Sequence, residues 1–451
     1  MAQAGAQALL HGDVRARIVR LSLPSLAAML ASGLGTLLDA LMLSRLGSGA
    51  TDAAAVGFPL LTLYQTLGFT LGMGAGALMS QAIGRGEETL SAHAAALSLL
   101  LALALSAALS ALGLLLPAPL LRLLGAGPES AAQAALYVRY LLLSAPLLCL
   151  SLVLSSLLRA RGHAGAYGAA FAAGAALGAA LEAVLVLRLG WDLTGIGIAM
   201  IAREALTLLL LACCALRFRL PLARPAPRVL LQMLRYGLPT LLRQGLMSVS
   251  GVLFNREASA LGGAALGGMG LAVRALSLVS SAVIGFGQGF QPVCGVCAGA
   301  GRMDRVREGF FFCLRAVVIA LLMLGALLFP FAGALLSRFG APPEAAAFGA
   351  RVLRAQSVVL FAQGAVVLFN MLTQSLGLTV RAALVATSRQ GFVLIPLLLL
   401  LPRRFGETGL ILCQSVSDVL SLLLCFFITR GALTGFSCAR GGCSDARTAS
   451  R

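Results

Sequence analysis

The chain has 451 residues, of which 59% are hydrophobic and only 11% charged, and its mean hydropathy is +0.95. This balance excludes an ordinary soluble domain and defines an integral membrane protein. The formal net charge of +18 comes from 34 basic residues, all of them Arg, scattered among loops rather than gathered into a stripe with aromatics, which excludes nucleic acid as a partner.

The first apolar segment, RIVRLSLPSLAAMLASGLGTLLDALMLSR from Arg17 to Arg45, has Pro24 a third of the way in and one carboxylate, Asp39. A carboxylate inside an apolar helix is costly unless it pairs, takes a proton or binds a cation, so Asp39 is a candidate functional residue from the outset. No signal-peptidase pattern precedes this segment, and it reads as an uncleaved first helix. About twelve such segments follow one another, at 18–43, 53–82, 90–116, 131–158, 165–188, 194–216, 229–258, 265–298, 309–337, 345–375, 382–402 and 408–430. Each is long enough to cross a bilayer, and the fold expected is all-α with twelve transmembrane helices. Short loops join them. The longest, Arg217 to Arg235, has five Arg and three Pro and reads as a linker.

Arg residues concentrate on one side of the expected topology: Arg15, Arg17, Arg20, Arg85, Arg159, Arg161, the linker's five, Arg302, Arg305, Arg307, Arg381, Arg389 and four in the tail. By the positive-inside rule both termini and the linker face the cytoplasm, and the protein sits in the plasma (inner) membrane. His11, His93 and His163 fall on that face as solvated loop residues. Tyr137, Tyr140 and Trp191 read as interface anchors. Cys294 and Cys297 form an isolated C-x-x-C with no second pair or His nearby, and read as small packing residues.

Sliding the chain by 215 positions exposes an internal repeat. Arg20, Leu23 and Pro24 meet Arg235, Leu238 and Pro239; Gly47, Gly72, Gly74, Gly84 and Gly86 meet Gly262, Gly287, Gly289, Gly299 and Gly301; Gly125, Pro128, Glu129, Arg139 and Gly162 meet Gly340, Pro343, Glu344, Arg354 and Gly377. The expected organisation is a six-helix lobe at 1–222, a second at 223–433 related to it by a pseudo-twofold along the membrane normal, and a basic, disordered tail at 434–451. Such duplications serve secondary transporters that open alternately to each side.

Several motifs, in order and at matching spacing, resemble the multidrug and toxic compound extrusion (MATE) family and within it the MepA-like branch. They are LSLP with Asp39 fifteen residues past Pro24, YGLPTLLRQ at 236–244, GFGQGFQPVCG at 285–295 with GAGRMDRV at 299–306, and SRQGFVLIP at 388–396 with QSVSD at 414–418. The resemblance implies a twelve-helix antiporter, working as a monomer in contact with membrane lipid. It would export amphipathic, often cationic compounds against protons or sodium, with no cofactor. It also implies that Asp39 lines the N-terminal lobe and that Glu182 stands where the fifth helix usually has Asp. Two carboxylates close together cannot both ionise cheaply, so one of the pair would hold a proton, as coupling requires.

Sodium-binding relatives carry Asn four residues before the acid of the fifth helix and Thr eighteen after it; here those places hold Gly178 and Met200. Two oxygen ligands are missing, which favours the proton, although sodium at Asp39 and Glu182 stays open. Met247 stands where some relatives have a sodium-linked Glu. Candidates for the substrate cavity are Glu204 and Asp418, which the repeat aligns, Asn255 and Glu257, and Gln288 and Gln291. Glu204 and Asp418 could instead pair with Arg203, Arg243 or Arg274, Glu257 could instead form an outer-rim feature with Arg256, and the two Gln could instead satisfy backbone groups freed by Pro292. A flippase for lipids or lipid-linked oligosaccharides is the alternative reading. No enzymatic motif is present, and an enzyme is not expected.

Overall fold

The structure, a computed structural model, describes residues 12–125, 127, 131–338 and 342–434. The tail expected at 434–451 falls outside them beyond its first residue, as do His11, Cys438, Cys443 and three repeat positions, Pro128, Glu129 and Gly340. All regular structure among the described residues is helical, with no strand among them. The long helices are α1 (Val14–Arg45), α2 (Ser48–Arg85), α3 (Glu88–Leu115), α4 (Ala131–Ala160), α5 (Ala164–Arg188) and α6 (Leu193–Arg217). After the linker come α7 (Leu230–Ala260), α8 (Gly263–Gly299), α9 (Met303–Ser337) and α10 (Pro343–Ser375). The last two, α11 (379–405) and α12 (407–434), meet at Gly406, where φ of 54° breaks the helix.

Among the described residues, ten helical stretches are long and apolar enough to cross a membrane, the last of them, Thr379–Arg430, holding both α11 and α12. Helix α7 is 31 residues long but is not among them, since Pro239, Arg243, Gln244 and its Gly and Ser residues lower its hydropathy. Leu100, Leu103 and Leu105 on α3 and Ile319, Met323, Leu327 and Phe331 on α9 point outward and exposed. Water would not tolerate apolar surfaces of this length; lipid does.

The repeat is visible in the backbone. Gly47, Gly86 and Gly162 end or precede helices at φ of 102°, 78° and 84°, and their partners Gly262, Gly301 and Gly377 do so at 109°, 73° and 72°. A side chain at these angles would be strained, so the turns themselves explain why glycine recurs at one fixed offset. Pro24 and Pro239 both lie inside their helices, α1 and α7.

The chain clusters into two compact units. One holds Met1–Gly245 and Val273–Ala300, thus α1 to α6 with the first half of α7 and the second half of α8; the other holds Leu246–Ala272 and Gly301–Arg451. In the first unit, glycines let backbones touch. A methyl group at Gly72 would stand 3.0 Å from the Leu152 carbonyl oxygen of α4, one at Gly74 2.5 Å from the Met233 carbonyl oxygen of α7, and one at Gly84 2.2 Å from the Val296 carbonyl oxygen of α8. The GMGAGA run is therefore a packing stripe, as small residues in membrane helices commonly are. Around it Leu71, Met79, Val153, Leu157 and Met233 form a buried core. The linker is docked rather than free: His93 bonds the Arg224 carbonyl oxygen at 2.7 Å and His163 stacks on Phe218 at 3.9 Å. These two histidines are half-buried and rest against the linker, His93 on α3 and His163 just before α5.

In the second unit α8 crosses α10 through Gly268 and Gly349, and Met269, Phe348, Leu394, Leu398 and Leu410 fill its core. A π-helical turn at Ser388–Phe392 interrupts α11. It frees backbone carbonyls, and two hydroxyls take them up: Ser417 donates to the Arg389 carbonyl oxygen at 3.1 Å and Ser250 to that of Gln390.

Candidate ion-coupling site

The site is built in the first unit by α1, α4, α5 and α6. Helices α1 and α5 run side by side in one register. Gly168 faces the carbonyl oxygen of Pro24, where a Cβ would lie only 2.6 Å away, and Gly35 faces Ala175. Further along the same pair of helices, Asp39 and Glu182 come within reach of one another. Helix α6 packs on the other side of α5 in the opposite direction, with Thr207 against Gly174 and the stem of Arg203 against Gly178. The alanines and glycines of α5 make both approaches possible.

Arg203 is the hub. Its Nη1 donates to both carboxylate oxygens of Asp39, at 3.1 and 2.9 Å, and its Nε donates to Glu204 Oε1 at 3.3 Å. Glu182 lies within electrostatic reach of Asp39 and Arg203, and its carboxyl faces that of Asp39. It is 1% exposed, and neither of its oxygens receives a hydrogen bond. A π-helical turn begins immediately after it, at Ala183–Arg188. Tyr137 of α4, packed on Gly57, is within electrostatic reach of Asp39, Glu182 and Arg203. Three carboxylates thus surround one guanidinium, and one of the three has no donor of its own.

Asp39 and Glu182 stand together as their sequence context suggests, and Glu204 joins them through Arg203. Asp418 does not belong to this group. It sits in the second unit, fully buried, and accepts hydrogen bonds from Arg389 Nε at 2.6 Å, from Gln414 at 3.0 Å and from Gln356. Ser415 donates to the Gln356 oxygen at 3.1 Å, which closes the network. The sequence suggests Arg203, Arg243 or Arg274 as partner for these acids; Arg203 does pair with Glu204, but Asp418 takes Arg389, carried by the π turn of α11.

The remaining candidates are spread out. Gln288 of α8 is 2% exposed and accepts a bond of 3.4 Å from Tyr167, whose ring lies 4.5 Å from the Arg159 guanidinium. Gln291 is half-buried three residues on. Asn255 is exposed on α7, and Glu257 is half-buried within electrostatic reach of Cys413.

Two members of the cluster escape a reading of the sequence. Arg203 is visible there only as a companion of Glu204, and Tyr137 only as an interface anchor. The signal that could have exposed the first is Gly178, since a helical glycine beside an acid marks where another side chain passes.

A chain of long apolar helices, duplicated at one fixed offset and holding a partly compensated charge cluster inside a helical bundle, has the makeup of a membrane transporter. The MatE family profile matches residues 24–184 and again 239–400, the two starts lying 215 residues apart as in the internal repeat. The protein belongs to the MatE family, and is a transporter rather than an enzyme. Among curated relatives, the multidrug export protein MepA of Staphylococcus aureus (strain MSSA476) is 23% identical over 431 residues, covering 92% of this chain and 94% of that one. MepA of Staphylococcus haemolyticus is 21% identical over 418 residues, covering 91% and 92%. Among solved structures, a MATE protein crystallised in complex with MaL6 shares the fold with a TM-score of 0.90 at 23% identity, over 96% of this chain and 99% of that one. An outward-facing multidrug resistance MATE family transporter matches with 0.90, 23%, 96% and 98%. So does a MOP superfamily transporter from Pyrococcus furiosus, described as having a binding pocket of reversed polarity, with 0.90, 22%, 96% and 98%.

Proposed function

We propose that the protein is a proton-coupled antiporter of the plasma membrane that exports amphipathic, often cationic small compounds. The lobes 1–222 and 223–433 open alternately to the two sides, both termini face the cytoplasm, and the protein works as a monomer. The observation that carries the coupling assignment is Glu182: a buried carboxyl group, turned toward a second carboxyl and bonded to no donor. An ionised carboxylate left bare in this way is costly, whereas a protonated one is tolerated there. Asp39 stands beside it, held by Arg203. A proton arriving from outside neutralises Glu182; a cationic compound bound from the inside replaces the need for that proton and releases it. The names of the curated relatives support export of many compounds, and the excess of carboxylates over guanidinium in the cluster supports cationic cargo.

The test is transport of ethidium into proteoliposomes under two imposed gradients, one of pH without sodium, the other of sodium at fixed pH. Transport driven by the pH gradient alone is expected. Sodium-driven, pH-independent transport would overturn the ion assignment, and lipid transport without any response to ethidium would replace the reading by the flippase.

A further inference from the structure

Carboxylates gathered inside an apolar bundle attract any small cation that can reach them. In this protein the position facing Asp39 is already filled, from within, by a guanidinium. The stem of Arg203 runs over Gly178, where a Cβ would stand 2.9 Å from its Cδ, 3.2 Å from its Cβ and 3.3 Å from its Cγ, so any larger residue there would push Arg203 aside. Thr207, one turn further along α6, donates at 2.8 Å to the Arg203 carbonyl oxygen and seats in Gly174, which fixes the height of Arg203 on α5. Its nitrogens then reach both oxygens of Asp39 and one of Glu204. The groups around it are Asp39 from α1, Tyr137 from α4, Glu182 from α5 and Glu204 from α6, with the Cys149 thiol of α4 beside Glu204.

We propose that Arg203 is a tethered counter-cation that closes this lobe to exchangeable metal cations and leaves the proton as the one ion the site accepts. A guanidinium keeps its charge at every physiological pH and cannot diffuse away, so it occupies Asp39 permanently. A sodium ion would need several oxygens and would have to displace it. A proton needs none of that space and lands on Glu182, the carboxyl without a donor. Arg203 is therefore a positioning residue that sets ion selectivity through Asp39. This deepens the proton-coupled reading above and rests on it.

The test is thermal unfolding of the purified full chain in sodium chloride against choline chloride, followed by the same comparison in ethidium transport. Wild type is expected to melt at one temperature in both salts and to transport with the pH gradient alone. Arg203→Ala is expected to gain stabilisation by sodium, to gain sodium-stimulated transport, and to lose about tenfold of its pH-driven transport. Arg203→Lys keeps a tethered charge and is expected to stay indifferent to sodium. Should Arg203→Ala give no cooperative melt, Gly178→Leu, which displaces the Arg203 stem without removing it and brings no oxygen of its own, is expected to show the same sodium stabilisation. A sodium-stabilised wild type would overturn both this inference and the proton assignment. A proton-driven wild type whose Arg203→Ala variant, or Gly178→Leu in its place, ignores sodium would overturn this inference alone.

Discussion

The two units handle intramembrane acid in opposite ways. In the first, one guanidinium stands among three carboxylates and bonds two; the Asp39 and Arg203 side chains keep 26% and 20% of their surface exposed, and Glu182 has no donor at all. In the second, one carboxylate, Asp418, has no exposed surface and is served by Arg389, Gln356 and Gln414. A saturated ion pair in low dielectric is rigid, since removing either partner leaves a bare charge. An undersupplied cluster can change its charge state. The duplicated frame thus carries a saturated ion pair in one half and an undersupplied cluster in the other, and helices with π turns take part in both.

That contrast can be broken from either side. The largest effect is expected at Asp39. Asp39→Asn should lower pH-driven ethidium transport about 100-fold, yet leave a folded protein, because Arg203 retains Glu204 as a partner. Size-exclusion profiles and transport rates together check this, and normal transport would make Asp39 a structural residue. Asp418→Ala should do the reverse. Stranding Arg389 costs about 3–5 kcal/mol of stability, seen as a large fall in melting temperature, while coupling per folded molecule stays unchanged. Loss of coupling without loss of stability at Asp418 would erase the distinction between the units.

A smaller effect is expected at the linker. Burial against Phe218, and secondarily the neighbouring Arg161, hold the His163 imidazole below its ordinary value of 6.5. A base whose folded-state value is depressed contributes stability that is present above pH 6.5 and is lost as pH falls through the lower folded-state value. The melting temperature should therefore drop by about 2 °C or less between pH 7 and pH 5, and His163→Phe should not show that drop.

Much of this was legible before any coordinates. Helix number follows from apolar length, and the repeat follows from turn glycines that only one residue type satisfies, as Gly86 and Gly301 show. Asp39 and Glu182 stand out because charge inside an apolar segment is costly. The pairing of acids with their arginines was less accessible, since it depends on which helices touch. Asp418 finds Arg389 on another helix, 29 residues earlier, through a π turn that no periodicity announces. Arg203 reaches Asp39 across 164 residues by way of a missing side chain at Gly178, and an absence of that kind reads in sequence as one more small residue in an Ala- and Gly-rich helix.

Glu182→Gln is the most direct measurement, because it removes the titrating proton while keeping the size and shape of the side chain. If Glu182 carries the coupling proton, the purified variant should melt at or above the wild-type temperature, bind ethidium, and release no protons when ethidium is added to it. Proton release equal to that of wild type would place the coupling elsewhere in the protein.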